Sequence, residues 1–193
     1  PEFVVVKDTE DGDNWQIYHA GAQTSGALLL KFTNDSATSN TGPWNNTAPT
    51  SSLITLGGGG TNDSGNSHIC YAWHSVPGLQ KFGKYTGNNN ADGPYVELGF
   101  RPAVLMVKRT SGANANWYIM DKETQKLNAV VQALEPNTND STNTASVVNF
   151  DFLSNGFKVR GTDGDINATN IFVYAAWAEA PSIDLYGGGA NAR

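Results

Sequence analysis

The residues whose types and spacing come nearest to a known chemistry are Asp163, Asp165 and Asn167. In Asp163-Gly164-Asp165-Ile166-Asn167 three oxygen-bearing side chains alternate, as they do where a calcium loop begins. Calcium takes about six to eight oxygens, and the EF-hand loop also needs Gly at its sixth position and Glu at its twelfth. Those places hold Ala168 and Tyr174, so the EF-hand reading fails. A looser calcium loop is left as a candidate beside a plain polar turn. His68, Cys70 and His74 alternate along one predicted strand. At ~3.3 Å per residue the two histidines stand ~20 Å apart, too far to share a metal. The run Gly57 to Gly60 lacks the Lys and Ser or Thr of a phosphate loop and reads as a turn. Nucleophile elbows, metalloprotease helices and kinase signatures are absent, and no spacing singles out a glycosidase pair among the 18 carboxylates. The expectation is a non-enzyme with no cofactor.

The tryptophans divide by position. Trp15 matches Trp117, and Trp73 matches Trp177, which reads as core anchoring, since each buries a large apolar area. Trp44 has no such partner. It stands in Asn34 to Ser52, the most polar stretch of the chain, and is the candidate ligand or partner contact, with local loop packing as the alternative. Tyr85, between Lys84 and Thr86, is a second and weaker candidate of the same kind.

The matched tryptophans belong to a wider repetition. Pro1 to Thr9 returns as Pro102 to Thr110, and Asn14-Trp15-Gln16-Ile17 as Asn116-Trp117-Tyr118-Ile119. Gly57, Gly60, Asn66, Ala72, Trp73 and Pro77 return as Gly161, Gly164, Asn170, Ala176, Trp177 and Pro181. A period of about one hundred residues is the size of a small domain and not of a solenoid repeat. The strands expected in the two units are Phe3–Lys7 with Val104–Lys108, Trp15–Tyr18 with Trp117–Met120, and Ala27–Phe32 with Asn128–Leu134. Leu53–Leu56 with Phe157–Arg160 and Ser67–His74 with Ile171–Ala178 complete the set. In the last strand both faces are apolar in the second unit, as suits a strand covered on both sides. No helical periodicity of useful length occurs.

The expected fold is therefore all-β: two tandem antiparallel β-sandwich lobes from an internal duplication. Residues 1–80 make the first unit, 81–101 a linker with the opening strand of the second, and 102–193 the second unit with a C-terminal tail. Because Pro1 matches Pro102, the counterpart of Tyr95–Phe100 is expected upstream, which makes this the C-terminal part of a longer polypeptide. Among 193 residues only 16% are charged, and 21 are Gly and 21 Asn, a mixture that supplies turns and polar loops. A net charge of −6 without any basic stripe argues against nucleic acid. No apolar run approaches the ~20 residues of a membrane-spanning helix. The single Cys70 excludes an intrachain disulfide.

One further string is distinctive. It runs from Gly99-Phe100-Arg101-Pro102 through Val107-Lys108-Arg109 to Asn116-Trp117-Tyr118-Ile119-Met120-Asp121, then Phe152-Leu153-Ser154-Asn155-Gly156-Phe157, and ends in Phe172-Val173-Tyr174-Ala175-Ala176-Trp177. Lys81 to Asn88 and Leu185 to Arg193 fit the same pattern. The chain resembles an uncharacterised repeat domain near the C-termini of virion proteins of marine tailed phages. The first unit departs from that pattern, with His19 in place of the Asp after the Trp strand. The resemblance implies a structural virion protein, the distal part of a fibre, knob or decoration protein, and transfers no catalytic residue. Its implied partners are other virion proteins, further copies of itself and a host cell-surface glycan. An appendage that binds or degrades host polysaccharide is the alternative.

Overall fold

The computed structural model describes residues 1–23, 25–141 and 148–179. Thr24, residues 142–147 and the C-terminal tail from residue 180, Pro181 of the repeat included, lie outside the described residues. Twelve strands and one short helix are formed among those described. Sheet A carries β1 (Phe3–Asp8), β2 (Gln16–His19), β3 (Leu28–Lys31), β4 (Thr38–Ser39) and β5 (His68–Trp73), in the order β4-β3-β2-β1-β5. The second sheet, C, holds β6 (Gln80–Thr86), β8 (Pro102–Arg109), β9 (Trp117–Asp121) and β12 (Ile171–Ala178), in the order β6-β12-β8-β9. Sheet D is small, with β10 (Phe150–Leu153) and β11 (Gly156–Val159) as a tight hairpin and β7 (Tyr95–Glu97) at its side. Helix α1 is the single turn Gly164–Asn167. Every strand pairing is antiparallel.

Sheet C sits in the middle because its strands are apolar on both faces. Phe172, Tyr174 and Ala176 of β12 pack with Leu105, Val107, Tyr118 and Met120 against Phe150, Phe152 and Phe157 of sheet D. Val173 and Ala175 face the other way with Phe82 and Trp117, onto Phe3, Val5, Ile17 and Leu30 of sheet A. The far side of sheet A is closed by a loop: Trp44, Ala48, Ile54 and Leu56 lie over Val4, Val6, Tyr18 and Leu29. The layers thus run sheet D, sheet C, sheet A, loop.

The two halves do not stand as separate lobes, because sheets A and C share one hydrophobic seam. Much of that seam is aromatic. Phe3 stacks on Phe82 at 5.8 Å, Trp73 meets Trp177 at 6.3 Å, and Phe32 meets Trp117 edge-on at 5.2 Å. The strand order β2-β1-β5 in sheet A recurs as β9-β8-β12 in sheet C. Even an irregularity recurs. Glu2 N donates to Trp73 O beside the Phe3–Trp73 pair, and the register of β8 and β12 shifts at the equivalent Trp177/Ala178.

Several expected elements take other forms. Leu53–Leu56 is loop, since Ile54 and Leu56 serve the outer face of sheet A without a strand to pair with. Asn128–Leu134 makes isolated bridges in place of a strand, among them Val130 to Phe150 and Leu134 to Ile119. The expected linker 81–101 contains β6, which hydrogen-bonds β12 along its whole length. Gly83 at its centre leaves room for the Tyr174 side chain; a Cβ there would lie 2.6 Å from its Oη.

Trp44 is fully buried, with its ring edge-on to Tyr18 at 5.9 Å. Expected outcome: Trp44→Ala lowers stability by about 3–5 kcal/mol, as does Trp117→Ala, because both delete a large buried side chain. Chemical denaturation of the two variants checks this. A Trp44→Ala protein as stable as its parent would place the ring outside the core.

Candidate functional site

The sequence-derived contact residues are not on the surface. Trp44 has no exposed area, so the loop-packing alternative holds and a partner contact through its ring does not. Tyr85 is also buried: its ring stacks on Phe172 at 4.9 Å and its hydroxyl donates to Ile166 O at 2.7 Å. Burial pushes the Tyr85 pKa well up. Both rings are core.

The calcium candidate is not assembled. Asp163 caps α1 by accepting from Asp165 N, and Asp165 accepts from Tyr118 Oη and pairs with Arg109 at 3.5 Å. Asn167 is buried and fastens the loop at Asn88–Asn90. Its Oδ1 accepts from Asn88 N, and its amide donates to Asn90 O and Gly161 O. Its one oxygen is therefore turned to a backbone amide and not toward the two carboxylates.

A different donor group forms where β1 meets β5. Asp8, Asp63 and His68 each offer one atom within 4.8 Å of the others. Asp8 and His68 are brought together by strand register, since they are paired across β1 and β5, and Asp63 lies on the turn before. Sequence spacing alone hides this set, because Asp8 joins it only through that pairing. Two carboxylates and an imidazole suit a first-row divalent metal. Yet the oxygens already hold the turns together. Asp8 Oδ1 accepts from Glu10 N and Asp11 N, its Oδ2 from Asn66 Nδ2, and Asp63 Oδ2 from Gly60 N. The Asn66 hydrogen bond leads in holding the Asp8 pKa below its ordinary value, helped by the amides and by His68. The group reads as a clasp for the ends of β1 and β5.

Two further perturbed groups, His19 and Lys108, are ties between the halves. His19 is buried; its Nδ1 accepts from Gly21 N and its Nε2 donates to Tyr174 O. Lys108 is buried too, and its ammonium donates to Asn34 O at 3.0 Å and to Ala115 O. Burial lowers its pKa to about 8. Around it Ala37 N donates to Thr110 O, Ala115 N to Asn34 O, and Trp117 Nε1 to Lys31 O. These are fastenings across the seam.

What is left open is apolar. Among the described residues β5 pairs with β1 alone, and Ile69 and Tyr71 are 38% and 44% exposed. Tyr71 lies between two half-buried rings, Trp15 at 6.5 Å and Trp73 at 6.0 Å, all nearly parallel. Trp15 and Trp73, expected wholly in the core, thus each take part in a stripe that reaches the surface. The signal that marks it is a contrast between β5 and β12 on one face: Tyr71 stands where the second half has Ala175, next to the matched Trp73 and Trp177.

The family model for a domain of unknown function (DUF7483) matches residues 1–181. No curated protein and no solved structure matches the chain.

His19 makes the fold pH-sensitive. Burial, its main cause, lowers its pKa from 6.5 to about 4. Between those values the unfolded chain binds the proton and the folded chain does not, so stability rises with pH there and is lost on acidification. Each unit is worth about 1.4 kcal/mol, so a fall from about pH 7 to about pH 5 costs about 2 kcal/mol. Denaturant titrations at both pH values should show that loss in the parent chain and a smaller one in His19→Gln. Equal slopes in the two would remove His19 as the cause.

Proposed function

The chain belongs to the DUF7483 family, and we propose that it is a non-enzymatic structural and contact module of a phage virion, part of a fibre, knob or decoration protein. The observation that carries the reading is a division of labour. The perturbed titratable groups that suit chemistry, His19, Lys108, Tyr85 and Tyr118, are each hydrogen-bonded inside the fold. An apolar, aromatic strand is turned outward instead. A protein that works by contact needs that arrangement, and one that works by proton transfer needs the reverse. The resemblance of the second unit to a virion repeat domain supports the setting. The shared strand order and bulge position of sheets A and C support duplication of one β unit.

A second reading rests on the stripe Trp15–Tyr71–Trp73. Near-parallel rings along a sheet suit stacking on sugar rings, which favours an appendage that binds host surface polysaccharide. In that case Tyr71→Ala removes glycan binding without altering the melting temperature.

Mass spectrometry of purified particles tests the main reading. The chain is expected in the particle in several copies. Its recovery only from the soluble fraction of infected cells would end the virion assignment. Release of reducing ends from host polysaccharide by the purified chain would replace the contact module with an enzyme.

A further inference from the structure

The two halves differ most at one sheet edge. Thr9 N donates to Ser67 O at 3.0 Å, as Thr110 N does to Ile171 O at 2.9 Å in the second half. Hydrogen-bonded and non-hydrogen-bonded pairs alternate in an antiparallel ladder. Lys7–Ile69, Val5–Tyr71 and Phe3–Trp73 are thus the bonded pairs, and His68, Cys70 and Ala72 turn their amides and carbonyls away from β1. In the second half the same phase turns Phe172, Tyr174 and Ala176 toward β6, which pairs them with Tyr85, Gly83 and Lys81. Among the described residues β5 has no such strand beside it.

The edge lacks the usual protections. Sheet edges are guarded by Lys, Pro, shortness or a covering segment. β6 carries Lys81 and Lys84 on its edge, β4 has two residues, and β7 has three. β9 is bridged by Leu134, and β10 by Val130. β5 has six residues, His-Ile-Cys-Tyr-Ala-Trp, with neither Lys nor Pro. Its four central residues are all exposed.

We propose that β5 pairs antiparallel with β5 of another copy of this chain, joining two A sheets into one continuous sheet about a two-fold axis at Cys70. The inference deepens the contact-module reading and rests on it. Self-pairing is favoured because this strand is complementary to itself. With Cys70 opposite Cys70 of the other copy, each Ile69 lies against a Tyr71, and each His68 against an Ala72. The facing row is then apolar on the Ile69 and Tyr71 side, and no like charges oppose. A two-fold pairing also uses both open edges at once and closes the assembly. A partner of marked charge would find no counter-charge on this strand.

Sedimentation of the 193-residue chain at micromolar concentration tests it, with circular dichroism to show that each variant is folded. The parent is expected as a dimer of twice 20.6 kDa. Ile69→Lys with Tyr71→Lys opposes Lys to Lys at both contacts and is expected to weaken self-association on the order of a hundredfold. Ile69→Lys with Tyr71→Glu sets Lys against Glu and is expected to restore the dimer. Mild oxidation should link the parent through Cys70, and Cys70→Ser should abolish that link. A monomeric parent overturns the proposal and leaves the edge for a strand of other origin. So does a dimer indifferent to the double Lys change, or a folded Lys/Glu variant that stays monomeric. Each of these outcomes leaves the virion and non-enzyme assignments standing, since those are read by particle composition and sugar release.

Discussion

The arrangement depends on one requirement: β12 must be covered on both faces. Ile171–Ala178 alternates Phe172, Tyr174 and Ala176 on one side with Val173, Ala175 and Trp177 on the other, and none of these is polar enough to face water. Sheet D is too small to cover more than one face. The other is closed by sheet A, which draws the first half of the chain onto the second. Sheet A then has its own outer face, rich in Val4, Val6, Tyr18 and Leu29, and the 44–56 segment closes it with Trp44. Each layer exists because the one beneath it leaves an apolar face.

Magnitudes separate what stabilises the seam from what specifies it. Fully burying a large apolar side chain is worth about 1.5–3 kcal/mol, and a hydrogen bond nets about 1 kcal/mol. The aromatic contacts Phe3–Phe82, Trp73–Trp177 and Phe32–Trp117 therefore dominate the attraction between the sheets. The buried polar ties do something else. Lys108 on Asn34 O and Ala115 O, and His19 on Tyr174 O, hold only in one alignment, because each leaves a buried polar group unpartnered if the sheets slide. They select register at some cost in desolvation.

The parts legible in the sequence were those with strong period-two patterns. β12 falls on Ile171–Ala178 as expected, and β1, β5, β8 and β9 within a residue or two, because apolar alternation and β-branched runs mark a strand wherever it packs. β6 was hidden: Lys81, Gly83 and Lys84 read as linker, and only pairing along β12 makes them strand. Trp44 misled for a related reason. A polar loop suggests an exposed ring, whereas this loop is polar because its other residues form turns while Trp44 fills the hollow over Tyr18. The Asp8–Asp63–His68 clasp was beyond reach, since a contact across strand register carries no mark in linear spacing.

Joined across the sheet A–sheet C seam, the two halves are expected to unfold as one cooperative body. Native-state hydrogen exchange through a denaturant titration tests it most directly, by comparing amides of β1 with those of β12. Both sets are expected to converge on one opening reaction, with the same free energy and the same denaturant dependence. Exchange of β1 amides through a lower-energy opening, with β8 and β12 still protected, would show that sheet A unfolds on its own and would contradict it.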